Sequence, residues 1–66
     1  MAVMKVIEVL SNSDKSWEDA TQKAVKEASK TVKNIRSAWV KDQSVQVKDG
    51  KIEEFRVTLK ISFEIE

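Results

Sequence analysis

From Phe55 to Ile65, apolar and polar residues alternate without a break over eleven positions. Phe55, Val57, Leu59, Ile61, Phe63 and Ile65 fall on one side, and Arg56, Thr58, Lys60, Ser62 and Glu64 on the other. A period of two held this long is a strand with one buried face. With Glu54 before it and Glu66 after it the alternation continues on the polar side, and one strand is expected from Ile52 to Glu66. Such a strand needs pairing partners on its flanks and a cover for its apolar side. The rest of the chain must supply both.

Met4 to Leu10 reads as a strand, rich in Val and Ile and free of turn residues. Val3, Ile7 and Val9 lie on one of its faces, and Met4, Val6 and Leu10 on the other. A strand apolar on both faces is covered on both sides or lies at a subunit contact. Ser11 to Lys15 is a loop by composition, because short polar side chains bond their own backbone. Ser16 is placed to cap a helix whose first turn carries Glu18 and Asp19, the sign that complements the helix dipole. The helix is expected from about Trp17 to about Lys33. Trp17, Ala20, Ala24, Ala28, Thr31, Val32 and Ile35 form its apolar stripe at spacings of three and four, with Val25 beside them. Asn34 is the expected stop, since Asn tolerates the left-handed conformation.

Arg36 to Val47 is a second extended segment. Ala38 and Val40 share one face, and Ser37, Trp39, Lys41 and Gln43 the other. Strict alternation places Val45 and Val47 on the Trp39 face; a bulge near Asp42 to Ser44 would return them to the core side. Asp49-Gly50 is a tight-hairpin signal, because both central residues of that turn need positive φ. The reading is an α+β fold, a three-stranded antiparallel sheet with one helix against it, in the order β-α-β-β.

Size limits what such a module can do alone. The 66 residues make one domain, 1–66. A chain this short buries only about 60% of the surface its unfolded form exposes. Small domains compensate with disulfides, a structural metal or oligomerisation. With no cysteine and no histidine, disulfides and a zinc site are excluded, and oligomerisation is left. Strand length points the same way. About fourteen residues of strand span roughly 45 Å, whereas about seventeen residues of helix cover about 25 Å. Another copy must bury the remainder of the apolar face. Twelve basic and eleven acidic residues are interspersed, without the basic excess of a nucleic-acid binder. The run Val3 to Leu10 is too short and too charged for a membrane span or signal peptide, so a cytoplasmic location is expected. No Ser-His-Asp set exists without histidine, and a single glycine cannot build a phosphate-cradling loop. An enzyme is therefore not expected.

Several stretches carry a family resemblance: Lys5-Val6-Ile7-Glu8-Val9, the Ser-rich loop, and Ser16-Trp17-Glu18-Asp19-Ala20. To these are added Ala24, Ala28, Thr31-Val32-Lys33-Asn34-Ile35, the hairpin, and Val57-Thr58-Leu59-Lys60-Ile61-Ser62-Phe63-Glu64. Over nearly the full chain they resemble dodecins, small flavin-binding proteins. The resemblance implies a homododecamer of β-α-β-β subunits. It also implies a storage and buffering role for riboflavin or FMN, with flavins stacked between tryptophans of the second strand and hydrogen-bonded by a glutamine of the third. Ser37 stands at that tryptophan's position and Arg56 at that glutamine's. In this the chain is similar to members lacking the flavin tryptophan, a branch of which is associated with calcium. No zinc, haem, nucleic acid or membrane is implied.

The candidate ligand-binding residues are Trp39, Ser37, Gln43, Gln46 and Arg56. Trp39 is either a stacking platform, about 6.6 Å along the strand from Ser37, or an aromatic packed where subunits meet. Trp17 is expected to pack in the core or against another subunit. Arg56 either pairs with a phosphate or carboxylate or is solvated. Gln43 and Gln46 either supply amide hydrogen bonds near Trp39 or cover a polar face. The acids Asp42, Asp49, Glu53, Glu54, Glu64 and Glu66 have no EF-hand spacing, so calcium would be held between subunits. The stripe from Glu54 to Glu64 is either a solvated face or the lining of a cavity.

Overall fold

The computed structural model describes residues 3–65. Glu66, counted above among the acids and in the last strand, lies outside them. Four elements follow one another: β1 (Val3–Ser13), α1 (Trp17–Ala28), β2 (Ile35–Lys48) and β3 (Lys51–Ile65). The sheet order is β1-β3-β2, with both pairings antiparallel. The strictly alternating strand is thus the central one. β1 and β2 run parallel to each other with β3 between them, and α1 is the crossover that joins them.

Cross-strand partners point to the same face, so the register sorts the sheet into two sides. Val57, Leu59 and Ile61 on β3 are completely buried against Ala20 and Ala24 of α1. Ile7, Val9, Trp17, Ala28 and Ile35 pack partly buried around them. The alanines matter because a helix without bulky side chains on one stripe can lie close to a strand. Five fully or nearly buried apolar residues make a thin core for a domain, as its length implies.

The entry to α1 is fixed as its sequence suggests. Ser16 is extended, and its hydroxyl accepts from the Asp19 amide at 2.9 Å. Ser13, at the end of β1, donates to Asp19 Oδ2 at 2.6 Å and accepts from the Lys15 amide at 2.9 Å. That hydroxyl bond holds the Asp19 carboxyl below the ordinary carboxylate range; desolvation opposes it, and Lys23 and Lys15 add to it. Ser11 donates to the Ala20 carbonyl at 2.8 Å and ties strand to helix. Ser11 to Ser13, expected as loop, therefore belong to β1, because β3 is long enough to pair with them at Val57, Arg56 and Phe55.

The exit departs from the expected helix. α1 ends at Ala28, not near Lys33. Ser29 turns its hydroxyl onto the Lys26 carbonyl at 2.7 Å, and the Lys30 and Thr31 amides bond three residues back, to Glu27 and Ala28. Ser29 and Thr31 are poor helix formers that compete for backbone groups, and the ladder tightens and stops. Asn34 does adopt positive φ, 64°, but as the corner into β2, where its carbonyl accepts from the Glu64 amide at 3.0 Å. A twelve-residue helix covers only about 18 Å of a molecule 50 Å long. Val47 and Ile52, near the hairpin tip, stay exposed. The turn itself has Asp49 at φ 52° and Gly50 at φ 74°, as a tight hairpin needs.

β2 is irregular in two places where β3 is regular. Register advances by an extra residue at Arg36, between Ile35 and Ser37, and at Lys41, between Val40 and Asp42. The second bulge lies just before the region expected and has the expected effect: Val45 pairs with Phe55 on the helix side. It also corrects one placement. Gln43 pairs with Val57 and so faces the helix side, away from Trp39. A third shift, between Gln46 and Val47, leaves Glu53 as the extra residue on β3.

A chain lacking Lys41 is expected to stay folded. Alternation from Val40 then runs on regularly through Asp42, Gln43 and Val45 with every face conserved. Removing Thr58 has no bulge to absorb it. Val57 and Phe55 would turn outward, and folding is expected to fail. Circular dichroism and a thermal melt on the two deletions check this; a deletion of Thr58 that melts like the parent would refute it.

Candidate functional site

The side of the sheet that carries no helix holds the candidate ligand residues. Across it run Met4, Val6, Glu8, Leu10 and Asn12 from β1, then Arg56, Thr58, Lys60, Ser62 and Glu64 from β3. Ser37, Trp39, Asp42, Ser44 and Gln46 come from β2. Met4, Val6, Leu10 and Trp39 are exposed on it, Trp39 to 47%. This accounts for the two apolar faces of β1: one packs under the helix, the other stays open.

Ser37 and Trp39 are neighbours on this face, opposite Ser62 and Lys60. The Ser37 and Ser62 hydroxyls bond each other, and Ser62 also donates to the Ser37 carbonyl at 3.4 Å. Arg56 lies four residues from Lys60 along β3, about 13 Å away. Its Nε donates to Asn12 Oδ1 at 2.8 Å. Gln46 sits opposite Glu54, farther still from Trp39. Within one subunit, then, Ser37 and Trp39 come together, Arg56 and Gln46 share their face at a distance, and Gln43 is on the other side.

The two bulges add charge to this face. Arg36 Nε meets Glu64 Oε1 at 3.1 Å, and Lys41 Nζ reaches Glu8 Oε1 at 3.6 Å. Glu8 is on β1, so the Lys41 side chain spans the central strand, about two strand spacings. These pairs are exposed and contribute little stability. They do turn two carboxylates toward cations. Among the described residues, no group of three or more His, Cys, Asp or Glu side chains is gathered as a metal site would require.

Trp17 has a structural place. Its ring meets Phe55 edge-on at 5.2 Å between centroids, and its Nε1 donates to the Ser44 carbonyl at 3.0 Å. Behind the sheet, a groove of about 690 Å³ between α1 and β1 has Ile7, Val9, Ala24, Ala28 and Val32 in its lining. Among the described residues, no helix is long and apolar enough to cross a membrane. Sequence alone does not place Lys60, Ser62 and Asn12 beside the candidate residues, since that depends on cross-strand register, which on the β2 side is offset by bulges.

Known proteins share this arrangement. The chain is 41% identical over 66 residues to the calcium dodecin of Mycobacterium tuberculosis (strain ATCC 25618 / H37Rv), a match covering 98% of this chain and 92% of that one. Its fold superposes on dodecin from Streptomyces coelicolor with a TM-score of 0.93 at 29% identity, covering 98% of this chain and 93% of that one. The crystal structure of the Mycobacterium tuberculosis calcium dodecin, described as having a novel calcium-binding site, gives 0.85 at 39% identity, with coverages of 98% and 93%. Residues 3–66 match the family model described as Dodecin, and the chain belongs to that family.

Proposed function

We propose that this chain is the subunit of a homododecameric, non-catalytic shell that binds and stores a small planar ligand of flavin type, riboflavin or FMN. One observation carries the ligand class: a half-exposed indole, Trp39, on a sheet face that no helix covers. Aromatic rings offer flat apolar area for stacking at little conformational cost. Ser37 beside it leaves room where a second large side chain would stand. Assembly is supported by the thin core and by the exposed Met4, Val6, Leu10, Val47 and Ile52, which a monomer would leave in water. A non-catalytic role is supported by the lack of histidine and cysteine, the commonest base and the most nucleophilic side chain.

A second reading has its own support. The 41% relative is named a calcium dodecin. A cation on this chain would be held between copies, drawing on carboxylates such as Asp42 and Glu54. Glu8 and Glu64 are engaged by Lys41 and Arg36.

Light scattering is expected to give a particle of twelve 7.5 kDa chains, about 90 kDa; a monomer would overturn the assembly. Titrating the protein into riboflavin or FMN is expected to quench flavin fluorescence. Trp39→Ala is expected to abolish the quenching while the particle persists. Unquenched flavin together with a calcium-dependent rise in melting temperature would replace the first reading with the second.

A further inference from the structure

Four basic side chains stand on the helix-free face around the Trp39 site, and three of them are engaged. Arg36 is held by Glu64, Lys41 by Glu8, and Arg56 by the Asn12 amide oxygen. Lys60 has no carboxylate within ion-pair distance among the described residues. It is also the cross-strand partner of Trp39, so the two side chains emerge side by side on the same face. Its other cross-strand neighbour is Glu8, and Lys41 reaches over the sheet to bind that carboxylate. Lys41 thus shares with Lys60 the acid that stands opposite it, and in this structure Glu8 is paired with Lys41. Ser62, next on β3, is bonded to Ser37 and competes for nothing. What remains next to the exposed indole is one ammonium group with three unspent donors.

We infer that Lys60 sets the charge preference of the ligand stacked on Trp39, so that the site takes an anionic planar aromatic, bearing a phosphate or carboxylate, over its neutral counterpart. The inference rests on the planar-ligand reading of Trp39. The indole supplies the flat contact, which is blind to charge. Lys60 supplies a directed charge at the edge of that contact, and an ammonium bonds phosphate and carboxylate oxygens more strongly than neutral ones.

Riboflavin and FMN differ by one phosphate and are the probes. FMN is expected to bind about fivefold more tightly than riboflavin at low salt, the size of one exposed charge pair. The advantage should shrink as salt is raised, since exposed charges are screened. Lys60→Gln is expected to bring the two affinities together, and Lys60→Arg to keep them apart. Light scattering on each variant verifies that the particle is intact, and the salt series on the unmodified protein gives the answer independently of any variant. Equal affinities for the two flavins, or a preference that survives Lys60→Gln in an intact particle, would overturn the role of Lys60 while leaving the planar-ligand reading in place. Failure of both flavins to bind would overturn both.

Discussion

Leu59→Ala is expected to lower stability by about 3 kcal/mol, the middle of the range for a fully buried leucine. Leu59 has no exposed surface and lies at the centre of β3, between Val9 on β1 and Val40 on β2, in the layer covered by Ala20 and Ala24. Alanines above it cannot move in to fill the space, because a helix side chain of one carbon has nothing to extend. A chain of this length has roughly 3–10 kcal/mol to lose. The substitution therefore removes a large part of the total. Chemical denaturation at fixed protein concentration measures it, since association shifts apparent stability by mass action. Val40→Ala, on the adjacent strand but exposed, is the control and should cost about 0.5 kcal/mol or less. Similar losses at the two positions would mean that the core does not lie where the helix covers the sheet.

Trp17→Ala is expected to cost about 2 kcal/mol, less than for a fully buried tryptophan because the side chain is only partly covered. The loss has two separable sources. One is the edge-on contact with Phe55, and the other is the bond from Nε1 to the Ser44 carbonyl. Trp17→Phe keeps a ring against Phe55 and removes only the donor, so it should cost about 1 kcal/mol. Denaturation midpoints of the two variants give the split. Equal costs would place the whole effect in the hydrogen bond. Both variants leave Trp39 as the single tryptophan, so its fluorescence can then be followed without interference.

The fold was legible where one physical signal governed a segment. β3 could be read from alternation alone, and the register bears this out from Phe55 to Phe63. The Asp49-Gly50 turn and the Ser16 cap followed from backbone chemistry that few other residues satisfy. The helix end is not legible from periodicity, because Thr31, Val32 and Ile35 continue the apolar spacing while Ser29 and Thr31 are already poor helix formers. Periodicity and propensity conflicted there, and propensity won. On the site, the common face of Ser37 and Trp39 was readable. The position of Gln43 was not, because the bulge at Lys41 carries no glycine to mark it and reverses every face assignment after it. Lys41 reads as an ordinary exposed lysine, and only the paired register shows that it is the extra residue.

The strand order has a consequence for how the molecule is made. β3 is the last strand in sequence and the central one in space. While a ribosome is still short of Lys51, β1 and β2 have no partner, since they touch only through β3. No part of the sheet can therefore be assembled before Lys51 emerges, and the β2–β3 hairpin is the first pairing open to the chain. The nascent chain carries two unpaired strands and a short helix until β3 begins to leave the exit tunnel. The β2–β3 hairpin is a local closure, whereas β1 has to find β3 across the whole length of the chain, and that long-range pairing is the slow step.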